Sequence, residues 1–178
     1  MRLRGLSAPL VFGAAVGVLC LVAPAGGPAL TRGAFSPFAL KVRAQNVMTA
    51  AAVREAGRDA VARLADPACA GILSDYRDAS GLTLRQRLDS LCPGRGDRLR
   101  VYLYDGAHQR GCQKGHRLAF AEPGSTVVYV CPRFVEEQRQ DPEAAPAVII
   151  HELLHVLGLE EAEHSSEAIS RQVRRRCG

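Results

Sequence analysis

The sequence predicts a single α+β domain in which a small sheet supports one deeply buried helix. Three observations carry that expectation. A chain of 178 residues has room for one domain and hardly for two. Helical patterns give way near residue 98 to strand-like alternation and return after Pro132, an order that suits one α+β unit. The run "AVIIHELLHVLG" is apolar around most of a helical circumference, as a helix enclosed by its neighbours must be. No internal repeat and no low-complexity linker interrupts the chain.

The first element is read as a targeting segment. "MRLRGLSAPLVFGAAVGVLCLVAPAGG" has two arginines, a chargeless apolar stretch and then small residues suited to a signal-peptidase cut. Residues 1–27 are therefore expected to be a signal peptide, with the cut site left open, and residues 28–178 the folded domain. A retained anchor is the rival, because the uncharged run from Gly5 to Thr31 could span a bilayer. Dilution of that run by Ala, Gly and Pro favours removal, hence a secreted protein, extracellular or periplasmic, with no stable membrane insertion.

The remaining elements follow in order. After the lead "GPALTRGAFSPFAL", the alanine-rich run from Val42 to Leu64 favours helix, and "DPACAGILSDYRDASGLTLRQRLDSLC" continues with short helices broken at Pro67 and Gly81. "RLRVYLYDG" sets Leu99, Val101 and Leu103 against Arg100, Tyr102 and Tyr104, the period of two of a half-buried strand. "AHQRGCQKGHRLAFA" reads as loop with a short strand in "RLAFA", and "STVVYVC" as a further strand. "PRFVEEQRQ" can open a helix at Pro132. For the apolar helix, Asp141 can cap and Pro142 can start it, or it begins at Pro146; Gly158 can end it in a left-handed turn. "SSEAISRQVRRRC" offers a serine cap, an early acid and arginines in the last turn.

Charge and cysteine content narrow the function classes. The net charge of +5 falls to about +3 once Arg2 and Arg4 leave with the signal. That is too mild to argue for nucleic acid, and a chain without tryptophan, only 5% aromatic, interleaves no rings with its bases. Beyond Cys20, the chain keeps Cys69, Cys92, Cys112, Cys131 and Cys177, none in a C-x-x-C pair, so disulfides are their natural use and support export. Cys69 with Cys92, joining the ends of one helical segment, is the preferred first bridge. Cys112, Cys131 and Cys177 then compete for a second, leaving one thiol over.

The chemistry lies in "HELLHVLG". Residues four apart on a helix stack on one face, so His151 and His155 point the same way, with Glu152 on the flank. Neutral imidazoles bind zinc at about 2.0–2.1 Å, and a catalytic zinc takes three protein ligands and leaves one position open. A nearby carboxylate is then needed to take and return a proton. Two histidines and a glutamate inside so apolar a helix would be costly to desolvate without partners.

This block resembles the zinc-binding helix of the zincin metallopeptidases. The resemblance is strong over His151 to Gly158 and weaker at Glu161. It implies Zn2+ as cofactor, His151 and His155 as ligands, Glu152 as general base, a peptide or protein as substrate, and "STVVYVC" as the counterpart of the edge strand along which zincin substrates lie. In the metzincin branch, a glycine three residues after the second histidine turns the chain toward a third ligand three residues further on. Gly158 fits, and the third position is Glu161; His164 ranks second and Glu167 third. No methionine follows the motif, so the metzincin Met-turn is absent. The expectation is thus a zincin-like domain acting as an exported zinc metallopeptidase. The alternative is a non-catalytic exported binding protein, stabilised by zinc or braced by disulfides.

Overall fold

A computed structural model describes residues 36–178 except 95, 114, 115, 162 and 163. The expected signal segment lies outside the described residues. The fold is α+β. Among the described residues its sheet has four strands, β1 (Phe38–Val42), β2 (Leu99–Asp105), β3 (Ala119–Ala121) and β4 (Val127–Val130), in the order β1-β2-β4-β3. β1, β2 and β4 run parallel, and β3 pairs antiparallel with β4 at the edge. The helices are α1 (Val47–Ala65), α2 (Pro67–Ala70), α3 (Ile72–Asp75), α4 (Leu84–Leu91), α5 (Arg110–Gln113), α6 (Arg133–Gln140), α7 (Ala145–Val156) and α8 (Ser166–Cys177). Among the described residues, no helix is long and apolar enough to cross a membrane.

The local reasons are readable in the residues. Asn46 caps α1 by accepting from the backbone amides of Met48 and Thr49, so the helix starts five residues later than its alanine-rich composition suggests. The span before it, "FALKV", is β1, a strand not foreseen in a lead rich in Pro and Gly. β1 is stabilised from outside itself, by pairing along β2 from Phe38↔Leu99 to Val42↔Leu103. α4 begins with a reciprocal capping box between Thr83 and Gln86. The strand expected over "RLRVYLYDG" is β2, and "RLAFA" contains β3. α5 occupies part of the stretch read as loop.

The helices cover one face of the sheet. Phe38, Val101, Leu103, Val128 and Val130 are all at most 1% exposed and share one hydrophobic core with residues of α1 and α7. α1 presents Ala56 and Ala60, both fully buried, so its backbone approaches closely. At Gly57, even one added carbon would press on Leu40 at 3.1 Å. α7 is buried at every residue except the partly exposed Val148, held among α1, α6, α8, β3 and β4. Its helix starts at the second of the two foreseen places, with Pro146 in the first turn. Asp141 instead stabilises the turn before it, accepting from the amide of Ala144 at 3.1 Å.

The disulfides correct the expected pairing. Cys69 bridges to Cys177, not Cys92, and Cys112 bridges to Cys131. Cys92 is a half-buried free thiol at the end of α4. The reason is tertiary: α2 packs against the last turn of α8, bringing together residues separated by 108 positions. Two further contacts hold α8 there. Arg176 forks onto both carboxylate oxygens of Asp75 at 2.9 and 3.1 Å, and Arg63 donates to the carbonyl of Cys177 at 3.0 Å.

Closing so long a loop predicts a large effect. Replacing both Cys69 and Cys177 by serine should lower unfolding free energy by about 4 kcal/mol. Cys92→Ser should change it by about 1 kcal/mol or less. Urea unfolding under non-reducing conditions reads both, and equal losses in the two proteins would contradict the assigned bridge.

Candidate metal centre

The end of α7 builds the centre. Gly158 has φ +100°, a left-handed conformation that side chains resist, and a carbon added there would press on Asp78 at 3.2 Å. The amide of Gly158 bonds back to the carbonyl of His155 at 2.8 Å, and that of Leu159 to the carbonyl of Leu154 at 3.1 Å. These two bonds make a Schellman motif, with Leu159 buried over the helix end. The chain reverses, and Glu161 comes back over the face that carries both histidines.

Three side chains converge there. His151 Nε2 and His155 Nε2 lie 3.0 Å apart. A carboxylate oxygen of Glu161 is 3.6 Å from His155 Nε2 and 4.0 Å from His151 Nε2. One donor atom from each lies within 4.8 Å of the others. Tetrahedral zinc with bonds near 2.0–2.1 Å spaces its donors about 3.3 Å apart, so this set fits a small divalent ion with little adjustment.

The outer ring atoms are also engaged. His155 Nδ1 donates to the carbonyl of Leu159 at 2.7 Å, so Nε2 is the ring nitrogen that faces the cluster. His151 Nδ1 meets the hydroxyl of Ser170, on α8, at 3.0 Å. Burial pushes His151 down to about 4, aided by the charges of His155 and Arg117, so its ring is neutral at ordinary pH and able to ligate.

Glu152 takes no part in the cluster. Its side chain is buried, and burial pushes its carboxyl up to about 8; the backbone N–H of Ala121 and the charge of Arg117 oppose the rise, while Glu161 adds to it. Oε2 is itself buried and has no hydrogen-bond partner among the described residues. The group is thus a carboxyl that holds its proton near neutrality while one buried oxygen is unpaired among the described residues.

A cleft of about 720 Å³ opens over these residues. β3 and the residues around it, from Arg117 to Pro123, form one wall, and Ser166 and Ser170 of α8 form the other. The turn between β3 and β4 is tied to the motif helix by the amide of Gly124, which donates to the carbonyl of His155 at 2.9 Å.

No family model, curated protein or solved structure matches this chain. The centre therefore rests on its own geometry. The structure brings together His151, His155 and Glu161 and sets Glu152 beside them. It does not bring in the lower-ranked candidates: His164 meets the edge of Tyr76, with ring centres 5.2 Å apart, and Glu167 is an exposed first-turn acid 4.0 Å from Arg171. The expected edge strand is corrected as well. "STVVYVC" contributes β4, which lies inside the sheet between β2 and β3, because the three-residue β3 covers its outer side.

Sequence reasoning missed two supporting groups, the carbonyl of Leu159 and the hydroxyl of Ser170. A signal for Ser170 existed: it sits beside Ile169 and one turn from Val173, both fully buried, so it flanks the inward face of α8.

These shifts set a pH dependence for the metal-free protein. Glu152 has a folded value above its unfolded one, so its contribution is fully present below about 4.5 and is lost as pH rises toward 8. His151 acts in the opposite sense, its contribution being lost as pH falls from 6.5 toward 4. Between pH 6.5 and 8 the glutamate dominates, and stability should fall by about 1 kcal/mol per pH unit. Urea unfolding in excess chelator measures that slope, and Glu152→Gln should flatten it; an equal slope in the variant would remove the assignment.

Proposed function

We propose that the protein is an exported, zinc-dependent hydrolase of peptide bonds, with a zincin-like centre of His151, His155 and Glu161 and with Glu152 as general base. The observation that carries this reading is Glu152: a buried carboxyl whose Oε2 has no partner among the described residues, beside a three-donor cluster that lines an open cleft. A purely structural ion would need the three donors but not that carboxyl.

When bound, zinc supplies Lewis acidity toward a carbonyl and acidifies water. The residues of the chain do the rest. Glu152 takes a proton and returns it to the leaving amine, and its burial keeps its proton affinity close to neutral pH, where a shuttle works in both directions. The amide of Ala121 and the charge of Arg117 keep the ionised form accessible. His155 is oriented by Leu159, and His151 by Ser170. An extended peptide has a natural resting place along β3, an edge strand that lines the cleft and can pair main chain with main chain. Two disulfides suit an oxidising compartment, in keeping with export.

The test joins metal content to hydrolysis. The protein should bind one zinc ion, and it should cleave members of a mixed peptide library in a chelator-sensitive manner. His155→Ala should lose both metal and activity. Glu152→Gln should keep the metal and lose activity by about 10²–10⁴-fold. Stoichiometric zinc that raises the melting temperature without any cleavage by the wild type would assign the ion a structural role and overturn the hydrolase reading.

A further inference from the structure

Two imidazole nitrogens 3.0 Å apart impose a constraint on where the protons sit. The carbonyl of Leu159 can only accept, so His155 donates to it from Nδ1, and an uncharged ring in that arrangement holds a lone pair on Nε2. In the metal-free protein a second lone pair cannot face it at 3.0 Å. With both rings uncharged, His151 then carries its proton on Nε2 and donates it to His155 across the 3.0 Å contact. Its Nδ1 is then an acceptor, and the hydroxyl of Ser170, 3.0 Å away, donates to it.

Ligation requires the opposite arrangement. To offer Nε2 to an ion, neutral His151 must hold its proton on Nδ1, where it needs an acceptor. The same hydroxyl meets this need by rotating about its carbon–oxygen bond. The exchange balances: one proton leaves Nε2 for solvent, one is taken up at Nδ1, and the ring stays neutral. Serine suits the position because its oxygen both donates and accepts, whereas alanine does neither and a carboxylate only accepts.

We infer that Ser170 is a positioning residue that serves both proton arrangements of His151, and thereby sets the affinity of the His151–His155–Glu161 group for a divalent ion. The inference rests on the reading of that group as a metal site. It also gives α8 a task beyond packing, because the helix clasped by Cys69–Cys177 is the one that delivers this hydroxyl.

Zinc titration against a chromophoric chelator, with the full chain as wild type, Ser170→Ala, Ser170→Thr and Ser170→Asp, tests it. Ser170→Ala should weaken zinc binding about 10–100-fold. Ser170→Thr, which keeps the hydroxyl, should remain close to wild type. Ser170→Asp, which only accepts, should bind at least as tightly as wild type, whereas a side chain that merely fills space would lose affinity in both Ala and Asp variants. Nitrogen-15 spectra of the imidazoles give a second readout, in which the His151 proton moves from Nε2 to Nδ1 when zinc is added. Zinc binding by Ser170→Ala within twofold of wild type, or a proton already on Nδ1 in the metal-free protein, overturns this inference alone. Absence of zinc uptake by the wild type overturns it together with the proposed function.

Discussion

The reversal of the chain at Gly158 is the constraint from which the candidate centre follows. One left-handed residue ends α7, brings Leu159 back over the helix end and turns Glu161 toward the histidines. The same turn presents the Leu159 carbonyl to His155 at 2.7 Å, so a backbone conformation fixes both a ring orientation and the approach of a third donor. Helix termination and site assembly are here a single event. A residue with a side chain at position 158 would strain the backbone and press on Asp78.

Around that turn, the fold exists to enclose α7 on most sides while leaving one face open. The sheet and the small-residue face of α1 bury its apolar circumference, and β3 and α8 stand apart as the walls of the cleft. The enclosure has an energetic consequence for the polar residues on the helix. Desolvation drives the carboxyl of Glu152 and the imidazole of His151 toward their neutral forms, in opposite directions on the pH scale. A neutral imidazole is able to ligate an ion, and a carboxyl that ionises near neutrality is able to exchange a proton. One burial therefore prepares two different groups.

What the sequence made legible was local. The i, i+4 histidines, the glycine stop, the period-two strand over Leu99–Asp105 and the serine cap of α8 all depend on neighbours a few residues away, and each is where its residues point. The acid at position 161 was reachable for the same reason, through the turn at Gly158. The misses are long-range. β1 acquires its strand character from β2, about sixty residues away, and "FALKV" alone carries no such mark. β3 is too short for its alternation to announce that it would displace β4 from the sheet edge. Ser170 reaches His151 only because α8 folds back across the motif helix. The pairing of Cys69 followed proximity in sequence, and the packing of α2 on α8 overrode it.

That override bears on how the molecule matures. Cys69 and Cys92 are separated by about a fifth of the distance along the chain that parts Cys69 from Cys177, so in an unfolded polypeptide the nearer partner is met about tenfold more often. Oxidation before collapse thus favours the wrong crosslink, and the native one must be recovered by thiol exchange in which Cys92 is the leaving sulfur. A spare cysteine at the end of α4 is consequently both the hazard and the exit of the oxidative folding route.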